Sequence, residues 1–229
     1  MTTTAVTHLS PCAELAERVL LPGDPHRALS VAQALLEKPP RMFNHSRGLW
    51  GYSGIAADGE PLTIQSTGMG GPSAAIVSEE LIALGARRLV RIGTCAALDD
   101  RLELGALLAA ETVLALDGAS AALRKGESLA PDPELLANLV EAGAAPATVA
   151  SRDLFYDSGD RPPAPGAVAV ELESAALLAV AARHGVPAAS VLGVARRAGT
   201  NGVARLGSEE LESLGLRLGE AGYAALRSR

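Results

Sequence analysis

Short apolar runs alternate along the chain with longer segments in which apolar residues recur every three or four positions. The first pattern marks buried strands and the second marks amphipathic helices. Residues 19–21, 41–45, 51–55, 62–66, 89–93, 106–116, 147–151 and 188–195 read as strands. Residues 25–36, 72–84, 133–142, 171–184 and 208–228 read as helices. The punctuation agrees with this reading. Pro72 stands in a first turn, Gly85 and Gly185 follow helix ends, and Asp132 precedes a helix as a cap. Repeated strand-then-helix order with short apolar strands predicts an α/β fold, a parallel or mixed sheet with helices on both faces. The stretch 157–166 carries three prolines and two glycines, so it is a loop of the kind that often serves as a lid or specificity element. No linker or repeat divides the chain, and residues 1–229 are expected to form a single domain.

Composition narrows the partners. The chain has 229 residues, 48% of them hydrophobic, enough for a well-filled core rich in Ala, Leu, Val and Gly. A net charge of −6 argues against nucleic acid or an anionic membrane as the partner. No apolar run is long enough for a membrane span, and the first eight residues do not read as a signal peptide. The cytoplasm is the expected compartment. Cys12 and Cys95 form neither a disulfide framework nor a metal spacing, and Cys95 is expected to be a small packed residue.

Four segments carry the candidate chemistry. Leu21-Pro22-Gly23-Asp24-Pro25-His26-Arg27 joins a strand to a helix. A glycine turn, a helix N-terminus and an arginine fork together suit an oxyanion. Gln65-Ser66-Thr67-Gly68-Met69-Gly70-Gly71-Pro72-Ser73 is a second glycine turn. Arg91-Ile92-Gly93-Thr94-Cys95 sets another arginine and a hydroxyl at what reads as a strand's carboxyl end, where open α/β sheets bind ligands. Glu171-Leu172-Glu173-Ser174-Ala175 opens an apolar helix with two carboxylates pointing different ways. Phe155-Tyr156 is notable in a chain with only two Phe and three Tyr.

In this order the segments resemble the hexameric-type nucleoside phosphorylases, from about residue 8 to about residue 197. The resemblance implies a three-layer α/β/α fold with a central mixed, partly barrel-like sheet. It implies inorganic phosphate as co-substrate and no cofactor; no metal is expected, because Gly48 stands where some relatives carry a glutamate that helps hold a monovalent cation. Gly23, Arg27, Arg91 and Thr94 would hold the phosphate, joined by Arg47 from a neighbouring subunit. Glu173, Met69, Leu172 and the neighbour's His8 would hold the ribose. Cys95, Ala96, Phe155, Arg161, Glu171 and Arg196 would line the base pocket, and Arg91, Glu173 and Arg161 would be catalytic. A homo-oligomer follows, at least a dimer, a hexamer of three dimers in the family.

Several segments look most like the uridine branch, among them 66–73, 116–120 and 171–175. Purine members of bacteria carry a Ser-Asp pair where this chain has Ala195-Arg196. Uridine members carry a glutamine where it has Gly159. The expected reaction is phosphorolysis of uridine; the alternatives are a purine nucleoside phosphorylase or a low-turnover nucleoside- or phosphate-binding relative.

Overall fold

The computed structural model describes residues 6–37, 39–124, 126–156, 164–199 and 202–227. Strand β1 (Arg18–Pro22) is buried at all five positions, as a strand between two parallel neighbours must be. Helix α1 (Pro25–Leu35) follows at once, capped by the Asp24 carboxylate, which accepts the backbone N–H groups of His26 and Arg27. Strands β2 (Arg41–Asn44), β3 (Gly51–Ile55) and β4 (Pro61–Gln65) form an antiparallel wing, and β4 pairs parallel with β1. Helix α2 (Gly71–Leu84) ends at Gly85, whose φ of 121° ordinary residues avoid.

Strand β5 (Arg88–Ala97) is longer than its apolar run 89–93 predicts. It continues through Gly93-Thr94-Cys95-Ala96 because two further strands pair with that half. These are β9 (Ala169–Glu171), antiparallel, and β10 (Ala188–Gly199), parallel. Strand β6 (Leu107–Leu116) pairs with β10, β8 (Ala145–Arg152) pairs with β6, and β9 closes the ring by pairing with both β8 and β5. The 11-stranded sheet is therefore partly barrel-like, with an open wing β1-β4-β3-β2 on one side. The strands β7 (Ser128–Leu129) and β11 (Gly202–Arg205) extend its margins.

Helices cover both faces. On one side α2 packs with α3 (Gly118–Leu123) and α5 (Ser174–His184); on the other α1 packs with α6 (Ser208–Leu226), which also meets α4 (Pro133–Glu141). Two hydrophobic clusters fill the spaces, one around Val77, Leu81 and Leu177 and the other around Val31, Leu139 and Leu218. Three layers result, the α/β/α arrangement expected. Helix α5 begins at Ser174, not at 171. Glu171 lies on β9, a strand too short to stand out as a run of its own, and its carboxylate accepts the first N–H groups of the helix.

Candidate active site

Beyond the carboxyl ends of β1 and β4 the sheet leaves a cavity of about 570 Å³. Its floor is the second half of β5, and its walls come from the two glycine turns, the β9–α5 junction and the end of β10. The sequence-expected residues Gly23, Arg27, Met69, Arg91, Thr94, Cys95, Ala96, Phe155, Glu171, Leu172, Glu173 and Arg196 all line it. Thr94 lies within β5 and not past its end, the consequence of the longer strand. Another cavity, about 630 Å³, lies at the amino ends of β1, β4 and β5. It holds none of these residues, and its Arg18 and Arg88 are paired with Asp58 and Glu134.

Arg91 organises one end. Its guanidinium is buried, with Nε donating to Glu171 Oε2 at 3.2 Å and Nη2 to Glu173 Oε2. Nη1 is also buried and has no hydrogen-bond partner among the described residues. A buried, charged N–H without an acceptor is costly, so a ligand anion is the natural complement. Burial pulls the Arg91 pKa down, but the Glu173 and Glu171 carboxylates outweigh it and the net shift is upward. The cation is secure. Arg27 differs: burial lowers its pKa, Asp24 works against that, and the nearby Arg91 charge lowers it further. Two arginines repelling each other across a cavity favour an anion that bridges them.

Gly23 sits beside this pair. A Cβ at residue 23 would come 3.2 Å from the Gly68 carbonyl oxygen and 4.0 Å from Arg91 Nη1. The helix N-terminus expected to assist is already occupied, since the Asp24 carboxylate accepts from residues 26 and 27. Of the features expected to suit an anion, the two arginines are the ones still open to a ligand, whereas the N–H groups of residues 26 and 27 are taken by Asp24.

The two glutamates divide their work. Glu173 accepts from Gly70 N–H at 2.7 Å as well as from Arg91, and stands between the second glycine turn and the arginine. Glu171, expected at the base, is engaged within the chain. One oxygen accepts from the Ser151 hydroxyl and Ser174 N–H, the other from Arg91 and the N–H groups of Glu173 and Ser174. It anchors Arg91 and the start of α5. Sequence reasoning missed Ser151, which reaches Glu171 through the β8–β9 register, and Gly70, whose role is a backbone N–H. Neither carries a sequence signal for that contact.

At the far end Phe155 and Tyr156 pack edge to face, their ring centroids 4.8 Å apart. The Arg196 guanidinium lies over the Phe155 ring, 4.3 Å from its centroid. Cys95 is a buried thiol whose pKa is pushed up to about 12, by burial first and by Glu171 second, so it stays neutral. Arg161 lies outside the described residues. Arg47 is exposed on a 3-10 turn with a φ of 57°, and His8 is held by Glu80, Nδ1 to Oε1 at 2.7 Å. Neither reaches the cavity of its own chain.

The profile of the Phosphorylase superfamily matches residues 17–217. A DeoD-type purine nucleoside phosphorylase of Oceanobacillus iheyensis is 36% identical over 195 residues, covering 79% of this chain and 82% of that protein. One from Geobacillus kaustophilus is 36% identical over 195 residues, covering 79% and 81%. One from Clostridium beijerinckii is 35% identical over 198 residues, covering 81% and 83%. The chain belongs to the phosphorylase superfamily, among its nucleoside phosphorylases. The uridine branch expected from the motifs does not appear in the names of these relatives.

Proposed function

We propose that this protein catalyses the reversible phosphorolysis of a purine nucleoside. The observation that carries the phosphate half is the buried, unpartnered Nη1 of Arg91, beside Arg27 and Gly23. The purine half is supported by the relatives' names, which favour it over the uridine reading of residues 66–73 and 171–175. Inorganic phosphate is the co-substrate in this reading, with Arg27, Arg91 and Thr94 as its ligands.

The ribose hydroxyls donate to Glu173, whose carboxylate is held by Gly70 N–H and Arg91. A charged acceptor contributes about 1.5–3 kcal/mol per such bond. Sharing Glu173 and Arg91 aligns sugar and phosphate on one rigid pair, which lowers the entropic part of the barrier. As the glycosidic bond lengthens, the sugar gains positive charge, which the phosphate stabilises before it bonds to C1′. Cys95, neutral at any working pH, takes no nucleophilic part. His8 and Arg47 act across a dimer contact in this reading, consistent with their distance from the cavity of their own chain.

The test is release of free base from inosine, guanosine, adenosine, uridine and thymidine, each with and without phosphate. Phosphate-dependent release from a purine nucleoside is expected. Release from uridine alone would overturn the purine assignment, and release independent of phosphate would overturn phosphorolysis.

A further inference from the structure

The base end of the cavity has an unusual charge. Leu154, Phe155, Val170, Leu172 and Ala195 make it apolar, and Arg196 is the one charged side chain there among the described residues. The acidic groups that line the cavity are elsewhere and engaged. Asp24 caps α1, Glu171 anchors α5, and Glu173 holds Arg91 and Gly70. Arg196 has no hydrogen-bond or ion-pair partner among the described residues, and its guanidinium is stacked on Phe155.

The strand is built to aim it. Val194 pairs with Cys95 and Arg196 with Ala96, so Ala195 is an extra residue, a bulge in β10. Bulges bend a strand and redirect the next side chain, and they gather beside functional sites. Along β5 the pairing Arg91–Ser190 lies five residues from Ala96–Arg196. At ~3.3 Å per residue the backbone positions of the two arginines lie ~16 Å apart along the sheet. That length accommodates phosphate, sugar and base in line.

Resting on the phosphorolysis reading, we infer that Arg196 is a specificity-determining residue that selects 6-oxopurine nucleosides over 6-aminopurine ones. A guanidinium only donates. Its fork matches two adjacent acceptors, the arrangement of N7 and O6 on guanine, and hypoxanthine offers the same pair. Adenine has N7 beside an amino group, which also donates, so one arm of the fork would face a donor. No carboxylate or other acidic side chain at this end, among the described residues, is free to accept from that amino group.

The chemistry balances without an acid at this position. The C1′–N9 bond breaks with its electron pair left on the base, while a phosphate oxygen bonds to C1′. The base leaves as an anion whose charge reaches N7 and O6, where Arg196 stabilises it. The proton carried by the phosphate group then passes to the base through solvent.

The experiment is kcat/KM for inosine, guanosine, adenosine and uridine at saturating phosphate, for the wild type, Arg196→Ala and Arg196→Lys. Thermal melting of each variant reports its folding. The wild type is expected to prefer inosine and guanosine over adenosine by about tenfold or more, the scale of one bidentate pair. Arg196→Ala should lower inosine and guanosine turnover by a similar factor, mainly in kcat, and leave adenosine within about threefold. Arg196→Lys, which keeps the charge and loses the fork, should also narrow the preference. Equal wild-type use of adenosine, or an equal fall for all three purines in both variants, would overturn the inference. Turnover of uridine with none of the purines would instead overturn the purine reading beneath it.

Discussion

Gly93 makes room for Arg91. A Cβ at residue 93 would lie 2.6 Å from Arg91 Nη2, 2.7 Å from Cζ and 3.0 Å from Nε. The two residues share one face of β5, and the guanidinium folds over the glycine to reach Glu171 and Glu173. Gly93→Ala should therefore displace the guanidinium from both carboxylates. The expected outcome is a loss of kcat/KM of about 100-fold, the cost of a misplaced catalytic group. Apparent phosphate affinity should fall with it. An alanine variant with unchanged phosphate dependence would show that Arg91 does not meet the anion.

A second glycine tests the other arginine. A Cβ at Gly215, on α6, would meet Arg27 Nε at 3.2 Å and its Cγ at 3.4 Å. Alanine in a helix interior contributes about 1 kcal/mol of stability over glycine. The contact is tight, but it is with a flexible side chain, so Arg27 moves before α6 does. Gly215→Ala should melt within a few degrees of the wild type while its KM for phosphate rises several-fold. Melting curves beside phosphate titrations check this. A fall in melting temperature with KM unchanged would mean that α6 gives way and Arg27 stays.

Much of this site could be read from the chain, and the exceptions have physical causes. The glycine turns, Arg27, Arg91, Glu173 and Phe155 all line one cavity, and the two glycine turns with Arg27 do so because they stand at strand-to-helix junctions that the sequence marks with Gly and Pro. Where β5 would end was not legible. Its second half, Gly93-Thr94-Cys95-Ala96, has weak strand character and is held by β9 and β10, which are distant in sequence. The same non-local pairing decides the place of Glu171. Its spacing predicts a helix, whereas pairing with Ser151 puts it on β9, where it serves Arg91. The bulge at Ala195 is likewise a matter of register, invisible until the partner strand is known.

Away from the site, an ion pair ties three elements together. Arg18 at the start of β1 donates to both oxygens of Asp58, at 2.5 and 2.6 Å. The Asp58 N–H donates to Tyr223 on α6, whose ring also lies under Arg18. The hydrogen bonds from Arg18 hold the Asp58 carboxyl well below its ordinary range. A folded pKa below the unfolded value of about 3.9 gives stability that is present above that pH. It is lost as pH falls through the folded value. Denaturant midpoints of the wild type should thus decline steeply below about pH 4. Asp58→Asn should start lower at neutral pH, by about 1.5–3 kcal/mol for lost bonds to a charged group, and decline less steeply in acid. Parallel curves for the two proteins would mean that the pair forms equally well in the unfolded chain.

The two cysteines should differ sharply in reactivity. Cys12 is exposed, whereas Cys95 is buried with its pKa pushed up to about 12. At pH 8 Cys95 therefore stays a thiol, and thiolate is the reactive form. Cys95 Sγ also lies 3.6 Å from the Gly193 carbonyl oxygen, a contact that favours the protonated thiol as donor. The native protein should therefore take one iodoacetamide label per chain at pH 8 and two after unfolding. Mass spectrometry of labelled peptides identifies which residue carries it. Rapid native labelling of Cys95 would mean that its thiolate is accessible from the cavity. It would also reopen a nucleophilic role that the neutral thiol argues against.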